Sequence, residues 1–245
     1  MITMVTQKMK KINLIKNLEK YPTFNIKVLK DIIEKDSEYA KLVIYRLKKE
    51  KLIFEIEKNK YTTRKDPLVV ASNILWPSYI SGWSSLRYYN LTEQLPQTIS
   101  IFTTRARGKK EIFFNNTRIK ITKIKPKYFF GYKKVRYRDC EIFIADKEKA
   151  LLDSALFKKV SFSEIMNAVK NNKKEIDLDL FLKYLIKLKN KALIKRFGFL
   201  LDMVKIDVYD ELKRFIDYKY IPLDYAMKPK GKRNKKWRII NNVRY

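Results

Sequence analysis

Apolar residues recur every three or four positions along the first 50 residues, which is the spacing of one face of a helix. The first helix should end before Pro22, because the residue preceding a proline avoids the α region. Thr23 or Asn25 can cap the second helix, and the Asp36-Ser37 turn caps the third. The pattern therefore predicts helices over residues 8–20, 25–35 and 38–50.

The pattern then changes from helical spacing to alternation. Residues 52–56 and 61–63 are predicted as two strands of a hairpin with Lys58-Asn59-Lys60 at its tip. Three helices followed by a hairpin are the arrangement of a winged helix-turn-helix. We predict such a domain over residues 1–65 and a larger α+β domain over residues 66–245.

The larger part of the chain combines a strand-rich stretch, with a mixed or antiparallel sheet, and a helical region. Residues 66–90 have helical spacing, and Asp66 is placed to cap the first helix there. Trp76-Pro77-Ser78 breaks that helix, and Ser81-Gly82 opens a second short helix over residues 83–89. The tail, residues 221–245, is expected to hold one docked strand at residues 237–240 after a mobile basic stretch. Strands are predicted at residues 98–103, 112–114, 117–124, 132–138 and 140–145, with a tight turn at Asn115-Asn116. Helices are predicted at residues 146–157, 161–170, 177–189, 191–202 and 207–217.

Composition narrows the classes of function. The 245 residues include 56 Lys and Arg against 26 Asp and Glu, a net charge of +30, with one cysteine and no histidine. Histidine-based catalysis is therefore excluded, and one thiol cannot build a Cys/His metal site, so we expect no enzyme, cofactor or metal. The charge attracts polyanions: nucleic acid is the leading partner, and an anionic membrane surface the lesser one. The chain has no membrane-length apolar run and no signal-peptide pattern, so we expect a cytoplasmic protein.

The positive charge is concentrated in three blocks. Residues 1–65 carry a net charge of +9, residues 103–140 carry +11 and residues 227–245 carry +8. The stretches between them are close to neutral. A uniform lysine bias would not give this distribution, so the blocks indicate anion-binding faces.

The third predicted helix is the main candidate for contact with DNA. Its apolar positions Ala40, Val43, Ile44 and Leu47 must face the other two helices. The opposite side carries hydroxyls, phenols and cations, which hydrogen-bond base edges and phosphates in a major groove. The alternative is a solvated helix face or a protein-interaction face. Together with the hairpin tip, the predicted DNA-binding residues are Ser37, Tyr39, Lys41, Tyr45, Arg46, Lys48, Lys49, Lys58, Asn59, Lys60 and Arg64.

The second and third basic blocks form a predicted secondary surface. They could follow a phosphate backbone, bind RNA through cations beside Trp237 and Tyr245, or meet an acidic protein partner. An ordinary solvated sheet face is the other interpretation. Strand alternation would place Lys123 and Lys125 on one face. The predicted residues are Arg105, Arg107, Lys109, Lys110, Lys123, Lys125, Lys232, Arg233, Lys235 and Lys236.

Two other motifs are assigned structural roles. Asp146, Glu148 and Asp153 suggest a metal or acid–base site, but Asp146 lies where a helix N-cap belongs. Glu148 favours the positive end of the helix dipole. The serine-rich segment 77–86 matches no phosphate-loop or nucleophile motif, so we expect its serines to cap helices.

Five segments resemble a known family through their combined order and spacing. They are LKKEKLIFEIEKNKYTT (47–63), PSYISGWSSLRYYNLTEQLP (77–96), FIADKEKALLDSAL (143–156), LIKRFGFLLD (193–202) and IPLDYAMKPKGKRNKKWRIINN (221–242). Together they resemble the AbiEi-type antitoxins of type IV (abortive infection) toxin–antitoxin systems, across nearly the whole chain. The chain departs from the family at Lys51, where a glycine usually begins the wing. Its large basic excess is a second departure and suggests less selective DNA binding.

The resemblance implies a winged helix joined to an antitoxin domain, and repression of the protein's own operon through inverted repeats in double-stranded DNA. It implies a functional partner, a nucleotidyltransferase-type toxin that modifies RNA, often tRNA, and that is opposed without a stable complex. The alternative is a protein-interaction or tRNA-binding module whose basic second domain engages an acidic partner or RNA. Carried over from the family, DNA contacts would be made by Ser37, Tyr39, Lys41, Tyr45, Arg46 and Lys48.

Overall fold

The chain contains helices and a mixed β-sheet, and so belongs to the α+β class. The computed structural model describes residues 2–243, with the backbone alone for residues 2–9. The chain divides into two compact units, each built from several segments. These units are groups of packed segments and do not test the predicted domain boundary after residue 65, which stays a prediction. Unit 1 takes the described residues up to 79 with 97–123 and 134–143, and unit 2 takes 80–96, 124–133 and the described residues from 144.

Unit 1 begins with three helices and a two-stranded hairpin, in the predicted order. The predicted caps are present: Asn25 Oδ1 accepts a hydrogen bond from the Val28 amide at 3.1 Å, and Asp36 Oδ1 accepts one from the Tyr39 amide at 2.8 Å. The first helix starts at residue 2 instead of residue 8. The elements are α1 (Ile2–Glu19), α2 (Ile26–Ile33), α3 (Ser37–Lys49), β1 (Phe54–Glu57) and β2 (Lys60–Thr62).

A cluster of buried apolar side chains joins the three helices to the hairpin. The backbone of Phe24, just before α2, exchanges two hydrogen bonds of 2.8 Å with Tyr61 of β2. This bridge fixes the hairpin against the helices, while side chains from all three helices fill the space between them. The buried members are Leu18, Phe24, Leu29, Ala40, Ile44, Leu47 and Ile53.

The main sheet has six strands, hydrogen-bonded in the order β5–β6–β4–β3–β8–β7. Strand β4 pairs with β6 and β3 with β8 in parallel, whereas β5 and β6 form an antiparallel hairpin. Asn115 and Asn116 join that hairpin with φ of 44° and 59°, as the predicted tight turn requires. The strands are β3 (Ser78–Ser81), β4 (Thr98–Thr103), β5 (Glu111–Phe114), β6 (Thr117–Lys123), β7 (Tyr132–Tyr137) and β8 (Cys140–Ala145).

Two helices with a break between them are present in residues 66–90 as predicted, but the break contains strand β3, which the sequence did not predict. Helix α4 (Pro67–Asn73) precedes the strand and α5 (Trp83–Tyr88) follows it. All four residues of β3 are buried. A strand covered on both faces carries no polar–apolar alternation, so its sequence gives no strand signal. Asp66 caps α4 as predicted, its Oδ1 accepting from the Leu68 amide at 2.8 Å.

Among its described residues, unit 2 carries helix α5, five further α-helices and the small sheet of the tail. The predicted helix over residues 207–217 is only a four-residue helix followed by a 3-10 turn, Lys213–Phe215. The five further helices are α6 (Lys147–Leu156), α7 (Phe162–Asn172), α8 (Leu178–Lys187), α9 (Lys191–Met203) and α10 (Tyr209–Leu212).

The tail is more structured than predicted. It forms a three-stranded sheet in the order β10–β11–β9, with β9 (Ile221–Pro222), β10 (Lys232–Asn234) and β11 (Ile239–Asn241). The basic stretch expected to be mobile thus contains a strand, paired antiparallel with β11. Trp237 precedes that last strand and is fully buried, with Nε1 donating to Asp202 Oδ2 at 2.6 Å. Tyr245, the other predicted tail aromatic, lies outside the described residues.

Within residues 2–243, no helix is both long and apolar enough to cross a membrane.

Candidate nucleic-acid interface

Helix α3 turns one apolar face to the core and one polar face to solvent. Its buried residues are Ala40, Ile44 and Leu47, whereas the side chain of Tyr45 is 64% exposed. The apolar residues sit three and four apart, so the remaining positions are directed away from the core. All seven predicted α3 residues are exposed: Ser37, Tyr39, Lys41, Tyr45, Arg46, Lys48 and Lys49.

Two lysines of this face already contact carboxylates. Lys41 Nζ lies 2.6 Å from Glu38 Oε1, and Lys48 donates a hydrogen bond to Glu55 on β1. The hydrogen bond to Glu55 raises the pKa of the Lys48 ammonium, which therefore stays charged at neutral pH. Solvent-exposed pairs of this kind contribute only about 0–1 kcal/mol, so a phosphate can displace them.

The hairpin tip differs from the α3 face because most polar side chains of the tip form hydrogen bonds within the protein. Asn59 Oδ1 accepts from the Ile26 amide at 3.0 Å, at the start of α2. Lys60 Nζ donates to the Ile74 carbonyl at 2.6 Å and lies 3.4 Å from Glu57 Oε1. Lys58 is exposed. Of the three predicted tip residues, Lys58 alone has its side chain directed to solvent without a described hydrogen bond.

Arg64, predicted beside the tip, is also engaged within unit 1. Its Nη2 donates to the Glu19 carbonyl at 2.8 Å, and its Nη1 donates to Asp139. That hydrogen bond lowers the pKa of the Asp139 carboxyl. Since Asp139 is 75 residues away in sequence, local pattern could not reveal this partner.

Most of the predicted cations in the second basic block are exposed, in the loop before β5 and at the end of β6. Arg107 is the exception, because it forms an ion pair with Glu57 in which both side chains are 17% exposed. Strand β6 ends at Lys123, so the alternation expected to pair Lys123 with Lys125 does not extend that far. The exposed predicted residues are Arg105, Lys109, Lys110, Lys123 and Lys125.

The cations of the tail are also of two kinds: some are exposed to solvent, and one is paired within the protein. Lys232, Arg233 and Lys235 are exposed on and after β10. Lys236 instead donates to Asp202 at 2.9 Å and to Asp207 at 3.3 Å, and the bond to Asp202 raises its pKa. Lys236 therefore helps to hold the tail in place.

A groove in unit 1 contains aromatic residues that sequence reasoning missed. Phe113 on β5 is 68% exposed, and the guanidinium carbon of Arg118 lies 5.2 Å from its ring centroid. Phe54 and Lys48 line the same groove. The sequence signal for an exposed Phe113 was its position between two inward-facing residues of a strand. Because Ile112, Phe113 and Phe114 form a continuous apolar run, this alternation could not be recognised.

The acidic motif of unit 2 has the structural role predicted for it. Asp146 Oδ1 accepts from the Lys149 amide at 2.9 Å, and Asp146 Oδ2 accepts from the Tyr184 hydroxyl at 3.0 Å. Burial raises the pKa of Tyr184 to about 12. Asp153 pairs with Lys149 in the interior, where both side chains are 0% exposed, and burial lowers the pKa of that lysine. Among the described residues, no three Cys, Asp or Glu side chains are grouped to hold a metal ion.

The serines of residues 77–86 are buried but do not cap α5. Gly82 occupies the N-cap position, with no side-chain hydrogen bond to the helix, so the capping prediction was wrong there. Ser85 Oγ donates to the Ala145 carbonyl at 3.1 Å, and Ser81 Oγ contacts Asp153 Oδ2 at 3.1 Å. These hydroxyls satisfy buried acceptors, as buried polar groups must.

Known proteins add no further assignment of the site. No protein-family model matches the chain, and a search of curated proteins finds no match. The site is therefore defined by its own chemistry: an exposed face of hydroxyls, phenols and cations on α3, and a cation-lined aromatic groove that shares Lys48 with it.

Proposed function

We propose that this protein is a DNA-binding transcriptional repressor that inserts the exposed face of α3 into the major groove of duplex DNA. The supporting observation is that seven polar or cationic side chains of one 13-residue helix are all exposed, while its other face is buried. A helix of this kind fits the major groove. Arg46 and the lysines offer donors to guanine or phosphate, and Ser37 with the two tyrosines offers hydroxyls.

The surrounding elements support this interpretation. We interpret α1, α2 and α3 followed by the β1–β2 hairpin as a winged helix-turn-helix with α3 as its recognition helix. The hairpin then contributes mainly Lys58 to the DNA backbone, since Lys60 and Arg64 donate to protein carbonyls. The wing thus has a smaller role in DNA binding than its sequence suggests.

The biological setting is proposed from the sequence resemblance. As in AbiEi-type antitoxins, the repressed operon is the protein's own and also encodes a nucleotidyltransferase-type toxin. The support is the order of five sequence segments along the chain. The fourth segment lies within helix α9, and the fifth contains strands β9–β11.

The test is binding of the full chain to a duplex spanning the inverted repeats upstream of its own gene. Specific binding is expected at roughly nanomolar Kd at about 100 mM salt, and it should weaken steeply as salt rises. An unrelated duplex should bind at least about 1,000-fold more weakly. Equal affinity for both duplexes would contradict the proposal of a sequence-specific repressor.

A double charge reversal locates the interface. Lys41→Glu with Arg46→Glu should abolish the specific shift, because both side chains are exposed on the proposed reading face. The matched control is Lys174→Glu with Lys183→Glu, which changes the net charge equally at two exposed residues of unit 2. Equal losses in both variants would show a general charge effect and would reject α3 as the recognition helix.

A further inference from the structure

The groove beside α3 has the chemistry of a stacking site. Its cavity volume is about 520 Å³, and Lys48, Phe54, Lys65 and Phe113 are among the residues that line it. All of them belong to unit 1. The groove shares Lys48 with the α3 face and extends from there to the β5–β6 hairpin.

Two aromatic rings of the groove, Phe113 and Phe54, each lie beside a cation. Phe113 and Arg118 are direct cross-strand partners on β5 and β6, and the guanidinium carbon lies 5.2 Å from the ring centroid. Lys65 Nζ lies 5.6 Å from the centroid of Phe54. Because Phe113 is 68% exposed with the guanidinium over one face, its ring remains accessible to a second flat group.

The charge around the groove selects a polyanion. Residues 104–123, which include the β5–β6 hairpin, carry seven basic residues and one acidic residue. The carboxylate of Glu55 is already paired with Lys48. Two of these cations form ion pairs, Arg107 with Glu57 and Lys120 with Glu111. A purely apolar partner would leave the others unmatched, whereas a phosphate backbone neutralises them.

We propose that this groove binds single-stranded nucleic acid, with an unpaired base stacked on Phe113 and the flanking phosphates held by Arg118, Lys65 and Lys48. In a duplex, each base is already stacked on its neighbours and its flat face is hidden. Unpaired bases expose that face, and aromatic side chains amid cations are the usual means of binding them without sequence preference. The inference adds a second binding mode and does not depend on duplex recognition by α3.

The test uses fluorescence anisotropy of the full chain with two labelled probes, a 12-residue oligo-dT and a 12-residue oligo-U. Phe113→Ala should weaken binding of at least one probe about tenfold, the loss typical of removing one stacking aromatic. Phe113→Trp should retain binding, because it keeps a ring. Tyr218→Ala, which removes an 88% exposed aromatic side chain of unit 2, should leave binding unchanged.

Several outcomes decide the matter. A loss confined to oligo-dT or oligo-U still supports the groove and identifies the sugar it prefers. Unchanged binding in Phe113→Ala, an equal loss in Tyr218→Ala or a full loss in Phe113→Trp would overturn the proposal. Tighter Phe113-dependent binding of a labelled poly-glutamate than of either oligonucleotide would also overturn it, in favour of an acidic protein partner. Lys41→Glu with Arg46→Glu should abolish duplex binding while Phe113→Ala leaves it within about twofold, so the two hypotheses fail separately.

Discussion

Helices α3 and α9 have the same length and a similar number of cations, yet they use those cations in opposite ways. Both are 13 residues long, with four basic residues in α3 and three in α9. All four cations of α3 are exposed. In α9, Lys195 and Arg196 are only 1% and 9% exposed. Equal charge along a helix therefore does not mean equal access for a ligand.

The difference comes from the partners that other segments provide. Lys195 donates to Asp217 and, at 2.5 Å, to the Lys219 carbonyl, while Arg196 Nε donates to the Leu223 carbonyl at 3.0 Å. Nine consecutive residues of α9, Leu193–Leu201, are buried, and a helix covered on all sides must satisfy its charges internally. The net charge of +30 thus overstates the cationic surface that is open to nucleic acid.

The largest expected effect lies in the packing of α9. A Cβ at Gly198 would lie 2.0 Å from Cζ3 of the buried Trp237 ring. Because the ring is enclosed, Gly198→Ala should lower the free energy of unfolding by about 3 kcal/mol, at the upper end of ordinary overpacking. Urea denaturation followed by circular dichroism measures this change.

The control for this overpacking is Gly108→Ala in the exposed loop before β5. Nothing lies within 4 Å of a Cβ built there. Its unfolding free energy should stay within about 0.5 kcal/mol of the unmodified protein. If Gly198→Ala were equally harmless, the tight contact between α9 and the tail sheet would be disproved.

A second, smaller effect compares one lysine from each helix directly. Lys195→Met in α9 removes the ammonium that satisfies Asp217 and a backbone carbonyl, so stability should fall by about 2 kcal/mol. The cost is below that of a fully buried pair, because the Asp217 side chain is 32% exposed. Thermal and urea unfolding both report the loss.

The matched substitution in α3 is Lys41→Met. Lys41 pairs with Glu38 on the same exposed face, so stability should change by no more than about 0.5 kcal/mol. Affinity for operator DNA should fall in this variant and stay unchanged in Lys195→Met, measured below the unfolding transition. Similar stability losses at both lysines would remove the distinction between the two helices.

Sequence reasoning succeeded where the determining contacts are local. The face of α3 followed from apolar residues three and four apart, and the start of α3 followed from Asp36. The Asn115-Asn116 turn was predictable because asparagine tolerates positive φ. In each case, the physical cause lies within a few residues of its effect.

Sequence reasoning failed where the partner is distant along the chain. Lys60 and Arg64 resemble free wing cations, but Ile74 and Asp139 provide their acceptors. Strand β3 has no alternation because both of its faces are covered. The strand of the basic tail that contains Arg233 was missed for another reason: its partner β11 is close along the chain, but Lys232–Asn234 has no apolar residue and so gives no strand signal.

The smallest expected effect concerns a feature that the two helices share. Two residues after each helix lies a lysine in the left-handed region: Lys51 after α3, with φ 57°, and Lys205 after α9, with φ 63°. In both, the next amide donates back to the last turn: Leu52 to the Leu47 carbonyl at 3.0 Å, and Ile206 to the Leu201 carbonyl at 2.9 Å. This is the geometry of a Schellman cap, in which glycine is the preferred residue.

Lys51→Gly and Lys205→Gly should therefore each raise the free energy of unfolding, by about 0.5–1 kcal/mol. A left-handed residue with a Cβ is strained by roughly 1–2 kcal/mol, and the greater freedom of glycine in the unfolded chain cancels part of the gain. Lys51→Ala and Lys205→Ala are the controls, because they remove the same charge but retain the Cβ, and they should bring no gain. If alanine stabilised either site as much as glycine, relief of charge repulsion rather than of backbone strain would be the cause. The two caps have different charge surroundings, because Lys51 is next to an exposed cationic face whereas Lys205 follows a buried helix. Similar gains in stability at both sites would therefore point to backbone strain, which the two caps share.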